Sequence, residues 1–504
     1  MSLHFLAHHR QLVLAAALAS LLLSLWALYL DPVINMDGIL YVEAAGDFAR
    51  GDWAAGFAVY KWPFYSLIIG SVSFLTGIAE GKAAYLVNAG LYALVVLGFI
   101  ALVRVLGGRG RVLWLAAALV LLHPELNAFR SFVIRDVGYW ACYLWTLVFY
   151  LAYVHSGRAR LLSSGILLAI CAFLFRVEGI VLLTILPACI YAYRTGTGKR
   201  ANTIVLLAAL ATGAAVAAAP LWHYVSEVKV SMGALLAQPL HHLANSWEIL
   251  GADTHDRLAA LQREFSGVTS YATSVPVYLV TVLTMALLES IKAVGVVFAG
   301  LIIYAFCRSG QYIQAPLRCW WWLMIGIQAT LILQFGITNF FLAKRYPVAL
   351  ALTLLPIVPF LLDDLWRRWE TRGRKNPWPA LIIAVLIGIQ SLDGLNVGTR
   401  KHYLKDAGLW LRSNAPPGSS IYSNDRILLY YAGAEERRPD TGHSWEAAMQ
   451  EVWSDGWRNY DYFVLAMPRI HAQHEVLLLR EINAEPVKTF SNGRGDEVLI
   501  FKPG

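Results

Sequence analysis

The chain has 504 residues, 58% of them hydrophobic and only 15% charged, with a net charge of +8. Soluble globular chains carry about 25% charged residues, so this composition excludes a soluble protein and implies several membrane-spanning helices. The surplus bases fall between apolar runs, which marks them as loop charges and not as a nucleic-acid surface.

In chain order, the first 30 residues have a basic start and an apolar run over 12–30. That run is longer than the 7–15 residues or so of a signal-peptide core, and no small-x-small cleavage site follows it. It is expected to be an uncleaved first helix. The next stretch, "INMDGILYVEAAGDFARGDW", carries Asp37, Glu43, Asp47 and Asp52 against the single base Arg50. "WPFYSLIIGSVSFLTG" at 62–77 is apolar but short, and is expected to lie along the membrane interface. Further spans are expected at 83–103, 112–122, 137–154, 161–175, 179–193, 203–222, 286–306, 319–338, 346–362 and 377–392.

With 62–77 kept out of the count, the loops alternate in charge as the positive-inside rule requires. One side collects Arg104, Arg109 and Arg111, Arg158 and Arg160, Arg194, Lys199 and Arg200, Arg308 and Arg318, and "RRWETRGRK". The other collects 31–61, 123–136, 176–179, 223–275, 339–345 and the C-terminal tail. The expectation is a mainly α polytopic bundle of about 11 spans in the inner (cytoplasmic) membrane. Its N-terminus is then cytoplasmic and its tail extracytoplasmic. Residues 1–394 would form the membrane module, with outer loops 31–61 and 223–275, and 395–504 a small soluble α/β domain. Within that tail "HYLKDAGLWLRSN" reads as a helix, "YDYFVLAMP" as a buried strand, "AQHEVLLLREINA" as a helix and "PVKTFSNGRGDEVLIFKP" as a hairpin. Its "RGD" reads as turn chemistry. Cys142, Cys171, Cys189, Cys307 and Cys319 are odd in number and form no CxxC, so neither a disulfide framework nor a thiolate metal site is expected.

Titratable residues gather at the outward helix ends: Asp37, Lys61, Arg130, Arg135, Asp136, Arg176, Glu178, Lys344 and Arg345. Charges near the bilayer are costly and tend to be functional when they face a bundle interior. Cations at that depth suit a lipid phosphate, and a neighbouring carboxylate suits a general base acting on a hydroxyl. Each also has a structural reading. Asp136 opens a helix, where Asp is a favoured N-cap. Arg135 and Arg345 sit where basic side chains snorkel. Arg176 and Glu178 are close enough in sequence to pair locally. His241, His242 and His255 lie in the long outer loop with no carboxylate at ligand spacing.

"MDGILYVEAAGDFARGDW" resembles the first outer loop of the GT-C glycosyltransferases, in the protein O-mannosyltransferase and aminoarabinose-transferase branch. The order that follows is also similar: a "KWP" before an interfacial helix, a span ending in basic residues, then "FVIRD" opening a later span. The likeness covers roughly residues 12–200. It implies Asp37 as catalytic base, Asp136 as a second catalytic acid on the outer face, and Lys61 beside the donor phosphate. The charges at the outer helix ends add Arg135, Lys344 and Arg345 as expected phosphate-binding cations, with Tyr41, Arg176 and Glu178 in support. Family members often have Asp-Glu where this chain has Asp37-Gly38. Some have a metal-holding acid just before the Lys, where this chain has Tyr60, so a divalent metal stays open and no other cofactor is implied.

The resemblance implies a membrane glycosyltransferase that takes a sugar from a polyprenyl phosphate among the membrane lipids. The acceptor is a lipid, glycan or protein of the cell envelope, and no nucleic acid is involved. A transporter or flippase of a lipid-linked sugar is the alternative from another class. It would be expected to show inverted repeats and broken helices near midplane, whereas here no repeat is found and the polar residues gather on one face.

Overall fold

The computed structural model describes residues 9–194, 271–307, 312–313, 315–371, 378–395, 401–434 and 444–503. The expected span 203–222, most of the expected loop 223–275, and His241, His242 and His255 lie outside these residues. The described chain divides into two compact units. One comprises residues 1–25, 41–130 and 134–396, the other residues 26–40, 131–133 and 397–504.

The first unit is helical. Six described helices, counting the one that begins the chain, are long and apolar enough to cross a membrane: Arg10–Leu30, Glu80–Val105, Asp136–Ser156, Ser274–Val294, Trp320–Asn339 and Val348–Thr371. Shorter apolar helices cover Phe64–Thr76, Arg111–Leu121, Ala159–Phe175, Val296–Cys307 and Leu381–Leu395. This is a multi-pass membrane protein. The Asp136–Ser156 helix is central, since 83% of its apolar window is buried against 28% for Arg10–Leu30. Glycine permits its close packing: the rings of Phe175 and Tyr150 fill the places where Gly138 and Gly165 would otherwise carry a Cβ.

One expected span is divided. Where 286–306 is expected as one interrupted span, a helix instead starts at Tyr271, inside the expected loop, and ends at Val294, and a second begins at Val296. Gly295 stands between them with φ +87°, a conformation that glycine adopts without strain. The amide of Val297 donates to Gln390 Oε1 at 2.9 Å, which satisfies one N–H that opens the second helix.

Arg130 proves to be a structural residue of this unit. It is buried and donates to Asn127 Oδ1 (2.7 Å), to the carbonyl and hydroxyl of Ser20, and to Ser24 Oγ (2.9 Å), with Tyr92 beneath its guanidinium. It ties the first helix to the turn after the Arg111–Leu121 helix.

The second unit carries a four-stranded sheet in the order β1-β2-β4-β3, with β1 Ile421–Ser423, β2 Tyr462–Met467, β3 Lys488–Ser491 and β4 Glu497–Phe501. β1 runs parallel to β2, while β4 is antiparallel to both β2 and β3. All six residues of β2 are buried, as a continuous apolar run predicts. Phe463, Leu465, Leu499 and Phe501 pack with Trp457, Leu478 and Ile482 into one core. The "RGD" is a turn: Gly495 has φ +85°, and Asp496 accepts from the Arg469 amide (2.9 Å) and from Asn492 Nδ2 (2.8 Å).

Candidate functional site

In the first unit a charged cluster forms where three connections meet. Asp136 is the first residue of the Asp136–Ser156 helix. It does not cap that helix: Arg135 holds the cap position, and no side chain makes a capping bond there. The Asp136 carboxylate, 2% exposed, instead pairs with Arg176 Nη1 and lies 3.9 Å from Arg345 Nε. Arg176 follows the Ala159–Phe175 helix in extended backbone, its amide donating to the Ala172 carbonyl. It pairs through Nη2 with Glu178 Oε1 and donates from Nε to Glu178 Oε2 at 3.1 Å. The local pair read from the sequence is therefore present, and it extends to a third residue. Burial works to lift the Glu178 carboxyl, but the Arg176 charge and hydrogen bonds act more strongly and hold it below the usual carboxylate range.

Aromatic rings complete the cluster. The guanidinium carbon of Arg176 stands 4.5 Å from the centroid of Tyr346, and that of Arg345 5.8 Å from the same ring. Arg135 stacks between Tyr60 and Trp62, at 5.9 and 5.5 Å. Trp62 is itself anchored by its indole N–H on the Leu174 carbonyl. Tyr41 is buried edge-on against Tyr60 and Tyr65, at 5.0 and 5.2 Å. Arg135, Arg176 and Arg345 set three cations against the two carboxylates Asp136 and Glu178. Arg176 is committed to both carboxylates, while the side chain of Arg345 is 27% exposed. A small cleft beside them is lined by Tyr139, Gln328, Phe335 and Tyr346. Tyr346 and Gln328 carried no sequence signal of their own, although "KRYP" places Tyr346 directly after the flagged Arg345.

The other expected cations are placed differently. Lys61 is exposed. Lys344 is also exposed, and its charge acts on Glu125, a carboxyl that burial lifts above its usual range. Neighbours in sequence, Lys344 and Arg345 thus serve two different groups of acids. Among the described residues no group of three or more His, Cys, Asp or Glu is arranged to hold a metal ion.

Asp37 belongs to the second unit. It is half-buried in the first turn of the Met36–Ala49 helix, where a carboxylate is favoured by the helix dipole. The segment before it is fixed in place. Asn35 and Val133 exchange hydrogen bonds, Nδ2 to the Val133 carbonyl (3.2 Å) and the Val133 amide to Oδ1 (2.8 Å). The Tyr431 hydroxyl accepts from the Ile34 amide (3.0 Å) and donates to the Pro32 carbonyl (3.1 Å). Lys405 Nζ donates to the same carbonyl at 3.3 Å. Gly38 is required by close approach: a Cβ there would come 2.8 Å from Asn35 Oδ1 and 2.9 Å from Ile34 Cγ1. Any side chain at this position would have to displace Asn35 and Ile34.

No protein-family model and no curated protein matches this chain. Solved structures do. The oligosaccharyltransferase of Archaeoglobus fulgidus, tethered to an acceptor peptide containing the NVT sequon, aligns with a TM-score of 0.52 at 13% identity. That alignment covers 98% of this chain and 74% of the archaeal one. The apo form of the same enzyme gives a TM-score of 0.49 at 15% identity over 81% of this chain and 58% of that one. ArnT from Cupriavidus metallidurans, bound to undecaprenyl phosphate, gives 0.40 at 13% identity over 99% and 98%. Only the first of these exceeds a TM-score of 0.5, and at its identity it speaks to the fold alone. A helical membrane unit together with a small sheet domain accords with this likeness: the protein shares the fold of the archaeal oligosaccharyltransferase structure.

Proposed function

We propose that this protein transfers a sugar from a polyprenyl-phosphate donor to a hydroxyl acceptor on the outer face of the cytoplasmic membrane. The observation that carries the reading is the buried acid–arginine cluster within this fold. Its Asp136 and Glu178 are consumed in holding arginines, and its partly exposed member, Arg345, is accessible to an incoming anion. Arg345 and Arg135, with Lys61, bind the donor phosphate. Asp136 and Arg176 act by fixing Arg345. Tyr41 supports Arg135 through the Tyr60 ring. Lys344, whose charge acts on Glu125, has the weaker claim on the phosphate.

In the reaction, the acceptor hydroxyl oxygen bonds to the anomeric carbon as the bond from that carbon to the phosphate oxygen breaks. The electron pair leaves with the polyprenyl phosphate, and the hydroxyl proton passes to Asp37. A single displacement inverts the anomeric centre. Cations aimed at the departing phosphate stabilise charge that grows in the transition state, the term that usually dominates such catalysis.

The test is incubation of purified protein with radiolabelled polyprenyl-phosphate sugars and membrane acceptors. Label is expected to move to an acceptor, and Asp37→Asn should slow that transfer by about 10²–10⁴-fold while donor binding persists. Lys61→Ala should weaken donor binding. Transport of the intact lipid-linked sugar across vesicles without transfer would replace this reading with the flippase alternative.

A further inference from the structure

The second unit is not confined to the C-terminal tail. Residues 26–40 and 131–133 belong to the same compact body as 397–504, and the side chain of Tyr431 joins the tail to the first of these stretches twice over. Tyr431 ends the Arg426–Ala432 helix, which is held at its start by the Asp425 carboxylate accepting from the amides of Ile427 and Leu428. From there its hydroxyl engages the backbone on both sides of Val33, accepting from Ile34 and donating to Pro32. Lys405 lies over its ring at 5.4 Å while sharing the Pro32 carbonyl. Val33 and Ile34 are buried at 4% and 2% exposure, so the segment is anchored by packing as well as by polar contacts. Burial lifts the phenol above its usual ionisation range, and the hydroxyl keeps its proton and its donor role.

We infer that Tyr431 is a positioning residue: through the Pro32–Ile34 backbone it sets the placement of Asp37, three residues further on. The inference rests on the reading of Asp37 as the base. The tail domain then fixes the segment from which a reacting group projects. A hydroxyl that accepts one backbone hydrogen bond and donates another specifies the path of a loop more tightly than apolar packing alone, which tolerates small slides.

Tyr431→Phe removes the hydroxyl and leaves the ring. In the full-length protein in detergent, the peptide covering residues 31–40 should exchange amide hydrogen about tenfold faster, as expected when a buried amide loses its acceptor. With a polyprenyl-phosphate sugar as donor, kcat should fall about tenfold while KM for the donor stays within about twofold. Tyr462→Phe serves as the control: its hydroxyl donates to the Asn414 carbonyl at 3.5 Å, elsewhere in the same domain, and it should change neither readout. Unchanged exchange over 31–40 in Tyr431→Phe overturns the inference. Equal loss in both variants also overturns it, because general loosening of the domain then explains the effect. Faster exchange in Tyr431→Phe, together with a wild type that transfers no sugar, leaves the clamp standing and removes Asp37 as a base. The two failures are thereby distinguishable.

Discussion

Asp136 and Glu178 illustrate how far a carboxylate's role depends on what it meets. Asp136 is spent on Arg176 and Arg345, so its replacement leaves buried guanidinium charge uncompensated. Asp136→Asn is expected to destabilise the protein by about 3 kcal/mol, the lower end of the cost of breaking a buried pair, because Arg176 keeps Glu178. A thermal melt in detergent decides this; a melt like that of wild type, with lost transfer, would return Asp136 to a direct chemical role. Glu178 predicts a pH dependence. Its folded value is depressed, so its contribution is complete above the unfolded value of about 4.3 and is lost as pH falls through the lower folded value. Stability should therefore not depend on this group between about pH 5 and pH 8, and should drop below about pH 4. Glu178→Gln should lower Tm at neutral pH and abolish that acid drop. The Arg176–Glu178 pair was legible in the sequence because two positions separate the residues. The third member, 40 positions upstream, and the shared Tyr346 ring were not, since helix crossing decides which loop ends meet.

Helix boundaries were legible wherever hydropathy and length agreed, as in the first, second, third and fifth long helices, and in the tail, where β2 stands where its continuous apolar run put it and the β3–β4 hairpin where its alternation did. They were not legible where one backbone angle decided. The expected span 286–306 carries Glu289 and Lys292 in its first half, yet the helix runs through both, and it is Gly295 that ends it by conformation. Gly295→Ala must adopt positive φ and also brings a Cβ within 2.5 Å of Gln390 Nε2. It should cost about 1–2 kcal/mol, read as a lower Tm, and Gln390→Ala should cost about 1 kcal/mol by freeing the Val297 amide. If Gly295→Ala melts like wild type, the break is not imposed at that residue. Gly38→Glu should crowd Asn35 and Ile34 and yield less folded protein. A well-folded Gly38→Glu would show that the Asn35–Val133 contact yields.

The orientation of the chain is open to a direct measurement. In a Cys307→Ser background, which removes an exposed thiol, Arg50→Cys should react with a membrane-impermeant maleimide on intact cells, and Arg158→Cys only after permeabilisation. Arg50 is a better site than Asp52, whose carboxylate caps the helix after it by accepting from the Ala55 amide at 3.0 Å. The reverse labelling pattern would move the proposed chemistry to the cytoplasm. In the sequence, composition shifts at the start of the tail. Contacts draw the second unit from three separate stretches, and no local composition reports that. This discontinuity has a consequence in time. The ribosome delivers residues 26–40 near the start of synthesis, and their partners from 397 onward more than 350 residues later. At about 5–20 residues per second the delay is roughly 20–70 s. Through that interval the Pro32–Ile34 segment has neither Tyr431 nor Lys405 to hold it, so the second unit stays incomplete until the residues from 397 onward are made.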